Sequence, residues 1–262
     1  MYPFDFAKPT SLADAVTALS QEEAQLLSGG QTLLPSMKQR LNAPAVLVSL
    51  TGIADLKGVT REGDVLVIGA ATPHAQVALD AAPHYPALAT LAGGIGDPAV
   101  RNRGTIGGSL ANNDPSACYP AAALASGATI VTNTREIAAD DFFDGMFGTL
   151  LHDEEIITAV RFPIPQKAGY AKFVQPASRF ALTGAFVALY AEGARVAITG
   201  ASEGGVYRWT EAEAALTGSF SADALAGLAA PSDGMIADLY ATPAYRAQLV
   251  AVMTRRAVTA AG

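Results

Sequence analysis

Two short glycine-rich motifs contain the residue types that bind phosphate groups. The first is Ser-Gly-Gly-Gln-Thr at residues 28–32, and the second is Thr-Ile-Gly-Gly-Ser at residues 105–109. Because glycine has no Cβ, a phosphate can approach the backbone closely and accept hydrogen bonds from its N–H groups. A helix is predicted directly after the first motif, where the positive end of its dipole favours an anion. The spacing fits two loops that hold the phosphates of a dinucleotide, and it fits a pair of tight turns equally well.

The first motif, with the leucine before it, reads LSGGQ, which is also the signature of ABC-transporter ATPases. Such an ATPase needs a phosphate loop in which a lysine follows a glycine and reaches the β- and γ-phosphates. None of the five lysines of this chain follows a glycine. The sequence therefore argues against ATP hydrolysis.

A third glycine string, residues 94–99, formally matches the G-x-G-x-x-[GA] fingerprint of dinucleotide-binding Rossmann folds. That fingerprint has to follow a strand and open a helix. Here the string follows the helical sequence ALATLAGG and contains Pro98. We interpret it as a loop that ends a helix.

The side chains that bind metals or act as nucleophiles are sparse. Cys118 is the single cysteine, which excludes an intrachain disulfide and an iron–sulfur cluster held by this chain alone. His74, His84 and His152 are too widely spaced for a zinc site, and each is predicted to be a surface or loop histidine. Any chemistry is therefore expected to come from an organic cofactor, with no metal bound and no catalytic side chain.

The charge and the hydropathy narrow the class of protein. A net charge of −7 argues against a nucleic-acid-binding protein. No apolar run approaches the roughly 20 residues that cross a membrane, and the first residues lack the pattern of a signal peptide. We expect a cytoplasmic protein without a membrane span.

The glycine motifs have to be positioned by α/β segments. Hydrophobic periodicity and capping signals predict strands over residues 2–6, 24–27, 45–50, 65–70, 128–133, 156–162, 180–190 and 194–199. Helices are predicted over residues 11–19, 33–41, 73–79, 86–92, 210–216, 221–228 and 243–258. One more helix is predicted to be capped by Asp114, to carry Pro115 in its first turn and to end at Gly127. Residues 163–169 read as a linker, and residues 192–193 as the turn of a hairpin.

The sequence resembles the FAD-binding subunit of molybdenum hydroxylases, the family of the carbon monoxide dehydrogenase medium subunit and the xanthine dehydrogenase FAD domain. The resemblance rests on LLSGGQTLLPSMKQRL and, about 75 residues later, RNRGTIGGSLANNDPSACYPAAALASGATIV. Further matches are LHDEEIITAVRFPIP, YAKFVQPASRFALTGAFVAL and the C-terminal ATPAYRAQLVAVMTRRAV. These segments keep the order of the family and span essentially the whole chain.

The resemblance implies an α+β protein with the vanillyl-alcohol-oxidase (PCMH)-type FAD-binding fold. Two α/β subdomains, residues 1–57 and 58–165, would hold FAD between them. Residues 166–262 would form a C-terminal domain with a small antiparallel sheet and helices.

The resemblance also implies which residues contact FAD. The first pyrophosphate loop would comprise Ser28, Gly29, Gly30, Gln31, Thr32, Leu33 and Leu34. The second would comprise Thr105, Ile106, Gly107, Gly108 and Ser109, followed by Asn112 and Asp114. Ile157 would pack near the flavin, and Lys172 and Gln175 would lie on a polar strand opposite it. Each of these three also has an ordinary interpretation, as a core isoleucine or as surface polar residues.

Three further residues are open to two interpretations. Cys118 stands where the family usually has an aspartate that bonds FAD hydroxyl groups, and it is equally well interpreted as a small core residue. Arg101 and Arg103 fit either phosphate-binding residues or solvated loop arginines.

The implied function is electron transfer by a non-covalently bound FAD. Partner subunits would carry the other cofactors: [2Fe-2S] clusters in a small subunit and molybdopterin in a large subunit, assembled as a dimer of heterotrimers. The external acceptor would be a quinone, NAD or another oxidant. Two alternatives remain open: a self-contained FAD-dependent oxidoreductase, and a binding or assembly protein that has lost FAD.

Overall fold

The computed structural model describes residues 1–262 and arranges them around three β-sheets. The first sheet is parallel, with the strand order β1-β3-β2. Its elements are β1 (Asp5–Ala7), α1 (Leu12–Leu19), β2 (Ala24–Leu27), α2 (Leu33–Lys38) and β3 (Val46–Ser49). The predicted cap of α1 is confirmed, because the Ser11 hydroxyl accepts a hydrogen bond from the Asp14 N–H at 3.1 Å.

Helix α2 is shorter than predicted. It ends at Lys38 rather than at residue 41, and the chain turns away at Arg40, whose φ is +62°. Leu41, the last residue of the predicted apolar face, is 76% exposed. Helices in proteins are stabilised mainly by the packing of their apolar face, and an exposed leucine adds no such packing. The apolar periodicity therefore overestimated the length of α2.

The second sheet is antiparallel, with the strand order β4-β5-β8-β6-β7. Its strands are β4 (Val59–Glu62), β5 (Val65–Gly69), β6 (Thr129–Thr132), β7 (Glu136–Ala138) and β8 (Ile157–Pro163). The helices of this segment are α3 (His74–Asp80), α4 (Pro86–Gly93), α5 (Pro98–Arg101), α6 (Ile106–Asn112), α7 (Tyr119–Ser126) and α8 (Ala139–Phe142). The sequence did not predict the edge strands β4 and β7, which are short and expose polar side chains on their solvent side.

The start of α7 was predicted wrongly. The helix begins at Tyr119 after Cys118 as its N-cap residue, and Pro120 rather than Pro115 occupies its first turn. The Asp114 carboxylate instead accepts a hydrogen bond from the Ser116 N–H at 2.8 Å, which closes a local turn. The predicted end at Gly127 is confirmed, since this glycine adopts the left-handed conformation with a φ of +56°.

The third sheet is antiparallel, with the strand order β12-β11-β10-β9. Its elements are β9 (Lys167–Val174), β10 (Ala181–Tyr190), β11 (Gly193–Thr199), β12 (Tyr207–Arg208), α9 (Thr210–Gly218) and α10 (Pro243–Ala260). The predicted β10–β11 hairpin is confirmed. Two other predictions are wrong: residues 167–169 belong to β9 rather than to a linker, and the helix predicted at 221–228 is a single 3₁₀ turn, Ala222–Leu225.

Strand β10 connects two of the three hydrophobic cores of the molecule. Its residues 181–188 are all buried, because α7 packs on one side of the sheet and α10 on the other. Phe186 belongs to the core of the middle segment, whereas Val187 belongs to that of the C-terminal segment. Each sheet lies within one of the three predicted domain ranges. Two of the hydrophobic cores contain residues from more than one range, so the separation into three domains stays a prediction.

No helix of this chain combines the length and the apolar character that crossing a membrane requires.

Candidate functional site

A cleft of about 820 Å³ opens where the three sheets meet. Both glycine motifs line it, together with the start of α7, the start of β8 and the hairpin between β9 and β10. Of the residues predicted to contact FAD, all except Leu34, Ile106 and Gln175 lie in its wall. Residues that are up to about 150 positions apart in the sequence are thus brought to one cavity.

The first motif turns sharply between β2 and α2. Gly30 has a φ of +70°, a backbone conformation that favours glycine. Gly29 lies against the backbone of residues 103–104, and a Cβ at this position would collide with the Arg103 carbonyl oxygen. The Ser28 and Thr105 hydroxyls are 2.7 Å apart, so the two motifs are in direct contact.

The first motif presents a row of unused hydrogen-bond donors. The backbone N–H groups of Gly29, Gly30, Gln31 and Thr32 donate no hydrogen bond to any acceptor within the chain. They precede α2, whose first turn leaves its N–H groups without intrahelical partners. Successive free N–H groups in a glycine turn form an anion-binding concavity. These residues therefore fit the pyrophosphate of FAD.

The second motif differs from the first in its backbone. Its Ile106, Gly107 and Gly108 N–H groups are bonded to the Thr72 carbonyl, the Ala70 carbonyl and the Thr105 hydroxyl at 3.4, 2.9 and 3.2 Å. The absence of a Cβ at Gly107 allows α6 to pack against Ala70, because an added Cβ would lie 2.6 Å from the Ala70 Cβ. The second motif thus supports the first through the contact between Thr105 and Ser28. It contributes the hydroxyl groups of Thr105 and Ser109 to the cleft wall, and not a second row of free N–H groups.

Lys172 approaches the cleft from β9. Its Nζ donates to the Gly94 carbonyl at 2.8 Å and to the Arg179 carbonyl at 2.9 Å, and it lies 3.6 Å from the Cys118 Sγ. Cys118 is buried, with 5% of its surface exposed, and so is Ile157 at the start of β8. Lys172 is half-buried, and its ammonium group joins three segments of the cleft wall, while its contact with FAD stays a prediction.

Gln175 has a different place. Its Oε1 accepts hydrogen bonds from the Ala177 and Ser178 N–H groups at 2.6 and 2.9 Å. These bonds close the turn between β9 and β10, in which Arg179 has a φ of +66°. Gln175 shapes the hairpin that carries Arg179 and Phe180 to the cleft, and it does not itself line the cleft.

Sequence reasoning missed two buried residues of the cleft wall. His74 was predicted to be a surface or loop residue, but it is 5% exposed, and its ring lies 5.3 Å from that of Tyr119. Burial, with Arg101 nearby, lowers the pKa of His74 to about 4, so the imidazole is neutral at pH 7. Its Nδ1 has no partner within the chain. A lone histidine after a proline gives no sequence signal for such a position.

Glu155 is the second missed residue. Its carboxylate accepts hydrogen bonds from Arg135 Nε and Nη2 at 2.7 and 2.9 Å, and also from the Thr132 and Thr134 hydroxyls and the His152 N–H. The Arg135 guanidinium holds the pKa of Glu155 well below its usual range, assisted by the other donors and opposed by burial. This ion pair anchors the segment that precedes Ile157. The side-chain donors come from residues 20 to 23 positions away, and only the His152 N–H is local, so no spacing in the sequence indicates the site.

The third glycine string is the helix-ending loop that was predicted. Gly94 is the C-cap residue of α4, so the string directly follows a helix and not a strand. Arg101 Nη1 donates to the Ile95 and Gly96 carbonyls at 3.0 and 2.8 Å, so this arginine stabilises the loop. Arg103 is exposed, and it borders the first motif through its backbone.

Comparison with known proteins agrees with this geometry. Residues 2–165 match the family described as the FAD binding domain in molybdopterin dehydrogenase. The chain belongs to this family. The nicotine 6-hydroxylase medium subunit of Paenarthrobacter nicotinovorans is 34% identical over 98% of this chain and 96% of its own length. The carbon monoxide dehydrogenase medium chain of Afipia carboxidovorans is 35% identical over 97% of this chain and 95% of its own length.

Solved structures of the molybdopterin dehydrogenase family share the fold. Carbon monoxide dehydrogenase from Hydrogenophaga pseudoflava, in a form that lacks the Mo-pyranopterin moiety of the molybdenum cofactor, matches with a TM-score of 0.87 at 34% identity. The match covers 100% of this chain and 98% of the other. Quinoline 2-oxidoreductase from Pseudomonas putida 86 matches with a TM-score of 0.89 at 27% identity over 99% and 97% of the two chains. The α+β, vanillyl-alcohol-oxidase-type FAD-binding fold is thus confirmed, and the chain is a flavoprotein subunit of the molybdopterin-dependent oxidoreductase type.

Proposed function

We propose that this chain holds FAD non-covalently in the cleft and transfers electrons through it inside a molybdenum hydroxylase complex. The observation that carries the proposal is the row of four unbonded N–H groups at Gly29–Thr32. When bound, FAD supplies the two-electron redox chemistry, while the chain binds the cofactor, orients it and tunes its electronics.

Different parts of the cleft wall would hold different parts of FAD. The N–H groups of residues 29–32 would bind the pyrophosphate, assisted by the hydroxyls of Ser28, Thr105 and Ser109. Asn112 and Asp114, at the end of α6 and beyond it, would bond the sugar and ribityl hydroxyls. Ile157 would pack on the flavin ring, and Lys172 would face it from β9. Leu34, Ile106 and Gln175 would act indirectly, by fixing the backbone of the two loops and of the hairpin.

The remaining redox centres would belong to partner chains. The single cysteine of this chain cannot ligate an iron–sulfur cluster by itself. A small subunit would therefore bring [2Fe-2S] clusters, and a large subunit would bring molybdopterin and oxidise the substrate. Two such heterotrimers would form the complex. Electrons would reach FAD from the clusters and leave it for an external acceptor such as a quinone or NAD.

The test separates this function from a self-contained FAD oxidoreductase. The chain is purified alone and together with its two partner subunits, and both samples are loaded with FAD. We expect about one FAD per chain in each sample, and oxidation of a substrate such as carbon monoxide, an aldehyde or a purine only in the complex. The complex should also reduce its FAD when substrate is added without an acceptor.

Two results would contradict the proposal. Turnover of such a substrate by the isolated chain, at the rate of the complex, would favour the self-contained oxidoreductase. A chain that takes up no FAD in either sample would favour a binding or assembly protein.

A further inference from the structure

The ammonium group of Lys172 has an unusual set of neighbours. Its three partners are the carbonyl oxygens of Gly94 and Arg179 and the thiol of Cys118. They come from the end of α4, the β9–β10 hairpin and the N-cap position of α7. These contacts fix the position of the ammonium group, and none of the three partners is a carboxylate.

No carboxylate neutralises this charge. Lys172 belongs to none of the ion pairs of the chain. Three acidic residues line the same cleft, namely Asp114, Asp153 and Glu155. Asp114 bonds the Ser116 N–H and Glu155 is paired with Arg135, while Asp153 is exposed and makes no ion pair. The cation is therefore held in the cleft wall without a counter-ion from the protein.

The surroundings of Lys172 suit a flat apolar group rather than a phosphate. Ile95 and Phe180 adjoin its two carbonyl partners in the sequence, and both line the cleft, as does the buried Ile157. The free N–H groups that suit a phosphate lie on a different segment, between β2 and α2. Of the parts of FAD, the flavin ring is the large planar one, so it matches the region around Lys172.

We propose that the unneutralised ammonium group of Lys172 lies beside the flavin ring and makes the protein bind reduced FAD in preference to oxidised FAD, and that Cys118 preserves this effect because it is not a carboxylate. The inference rests on the proposed function. Reduction of the ring by two electrons with uptake of one proton adds one negative charge to it. In the complex these electrons come from the iron–sulfur partner. A fixed cation next to the ring stabilises that charge, as preorganised charges do wherever charge develops.

Four variants test the two residues in pairs. Lys172→Met removes the charge, and Lys172→Arg keeps it. Cys118→Asp places a carboxylate next to the ammonium group, and Cys118→Ser leaves the position uncharged. The midpoint potential of the FAD-loaded full chain is measured against a redox dye during reduction by dithionite, with FAD in excess, so that a weaker-binding variant is still loaded.

The charge-removing and charge-pairing changes should act in the same direction. We expect Lys172→Met and Cys118→Asp each to reduce the preference for reduced over oxidised FAD about tenfold, which lowers the two-electron potential by about 30 mV. Lys172→Arg and Cys118→Ser should stay close to the wild-type potential. Because Lys172→Met also removes the contacts to the hairpin, Cys118→Asp serves as the second variant, in which these contacts can persist.

The outcomes separate this inference from the proposed function. If Lys172→Met weakens both redox forms of FAD equally and leaves the potential unchanged, Lys172 binds a phosphate or a sugar and the inference is wrong, while the FAD site stands. An unchanged potential in Cys118→Asp, with the fold intact by circular dichroism, would also overturn it. If the wild-type chain binds no FAD, the proposed function fails, and this inference fails with it.

Discussion

Replacement of Gly30 by alanine should weaken FAD binding through the backbone of the first motif. Gly30 has a φ of +70°, and a non-glycine residue in the left-handed region costs roughly 1–2 kcal/mol. The added Cβ would also lie 2.8 Å from Leu34 Cδ1, the end of a flexible side chain that can move aside. The chain can relieve the strain only by rotating this turn, which redirects the free N–H groups. Loss of one or two hydrogen bonds to a charged phosphate corresponds to a ten- to hundredfold weaker binding of FAD, or about 1.4–2.8 kcal/mol.

Gly63 offers a matched control. It has a φ of +62°, close to that of Gly30, but it lies in the turn between β4 and β5, and an added Cβ would meet no atom within 4 Å. Gly63→Ala should therefore lower the thermal stability about as much as Gly30→Ala does, without a change in FAD affinity. The assay is titration of the apoprotein with FAD, followed by flavin fluorescence, together with thermal unfolding of each apoprotein.

Two results would refute the reasoning. If Gly30→Ala binds FAD as tightly as the wild type, the first motif is a structural turn and the pyrophosphate lies elsewhere. If both variants lose FAD affinity equally, the loss follows from lower stability rather than from the redirected N–H groups.

Three further predictions follow from the cleft. Acid precipitation of the FAD-loaded chain should release a yellow supernatant that runs as FAD, whereas colour in the pellet would indicate a covalent bond. Gly107→Ala should lower the melting temperature strongly, because its Cβ would lie 2.8 Å from the Ala70 carbonyl oxygen; loss of FAD at unchanged stability would instead mean that this position faces the cofactor. Glu155→Gln should lower the free energy of unfolding at pH 7, since the neutral amide loses the ion pair with Arg135 and cannot accept all the hydrogen bonds that the buried carboxylate accepts. The pKa of Glu155 is lower in the folded than in the unfolded state, so its contribution is present above about pH 4.3 and is lost below it. Denaturant titrations at pH 7 and pH 3 should therefore show the difference from the wild type shrinking in acid, and a difference that does not depend on pH would contradict this account.

The sequence by itself determined the features that depend on neighbouring residues. The Ser11 cap, the end of α7 at Gly127 and the β10–β11 hairpin were all predicted correctly, because each arises from contacts within a few positions. The absence of a lysine after a glycine was sufficient to argue against the ATPase. The two glycine motifs indicated a phosphate site, and the family resemblance identified the cofactor.

Only the tertiary structure decided what the same residues contact across the chain. Gly29 is required because residues 103–104 pack against it, and no local pattern relates these positions. Helix α7 has Cys118 rather than the predicted Asp114 as its N-cap residue, because packing determines a helix start as well as capping propensity does. The Thr199 hydroxyl of β11 donates a hydrogen bond to the Ala117 carbonyl, and every residue of α7 is buried.

The charge environment of the cleft is likewise a tertiary property. Lys172 meets Cys118 across 54 positions, and Glu155 meets Arg135 across 20. Electrostatic interactions depend on distance in space and on burial, and neither quantity is encoded in spacing along the chain. The sequence therefore predicted a phosphate site, whereas the fold decided which charged side chains line the cleft and which are paired with each other.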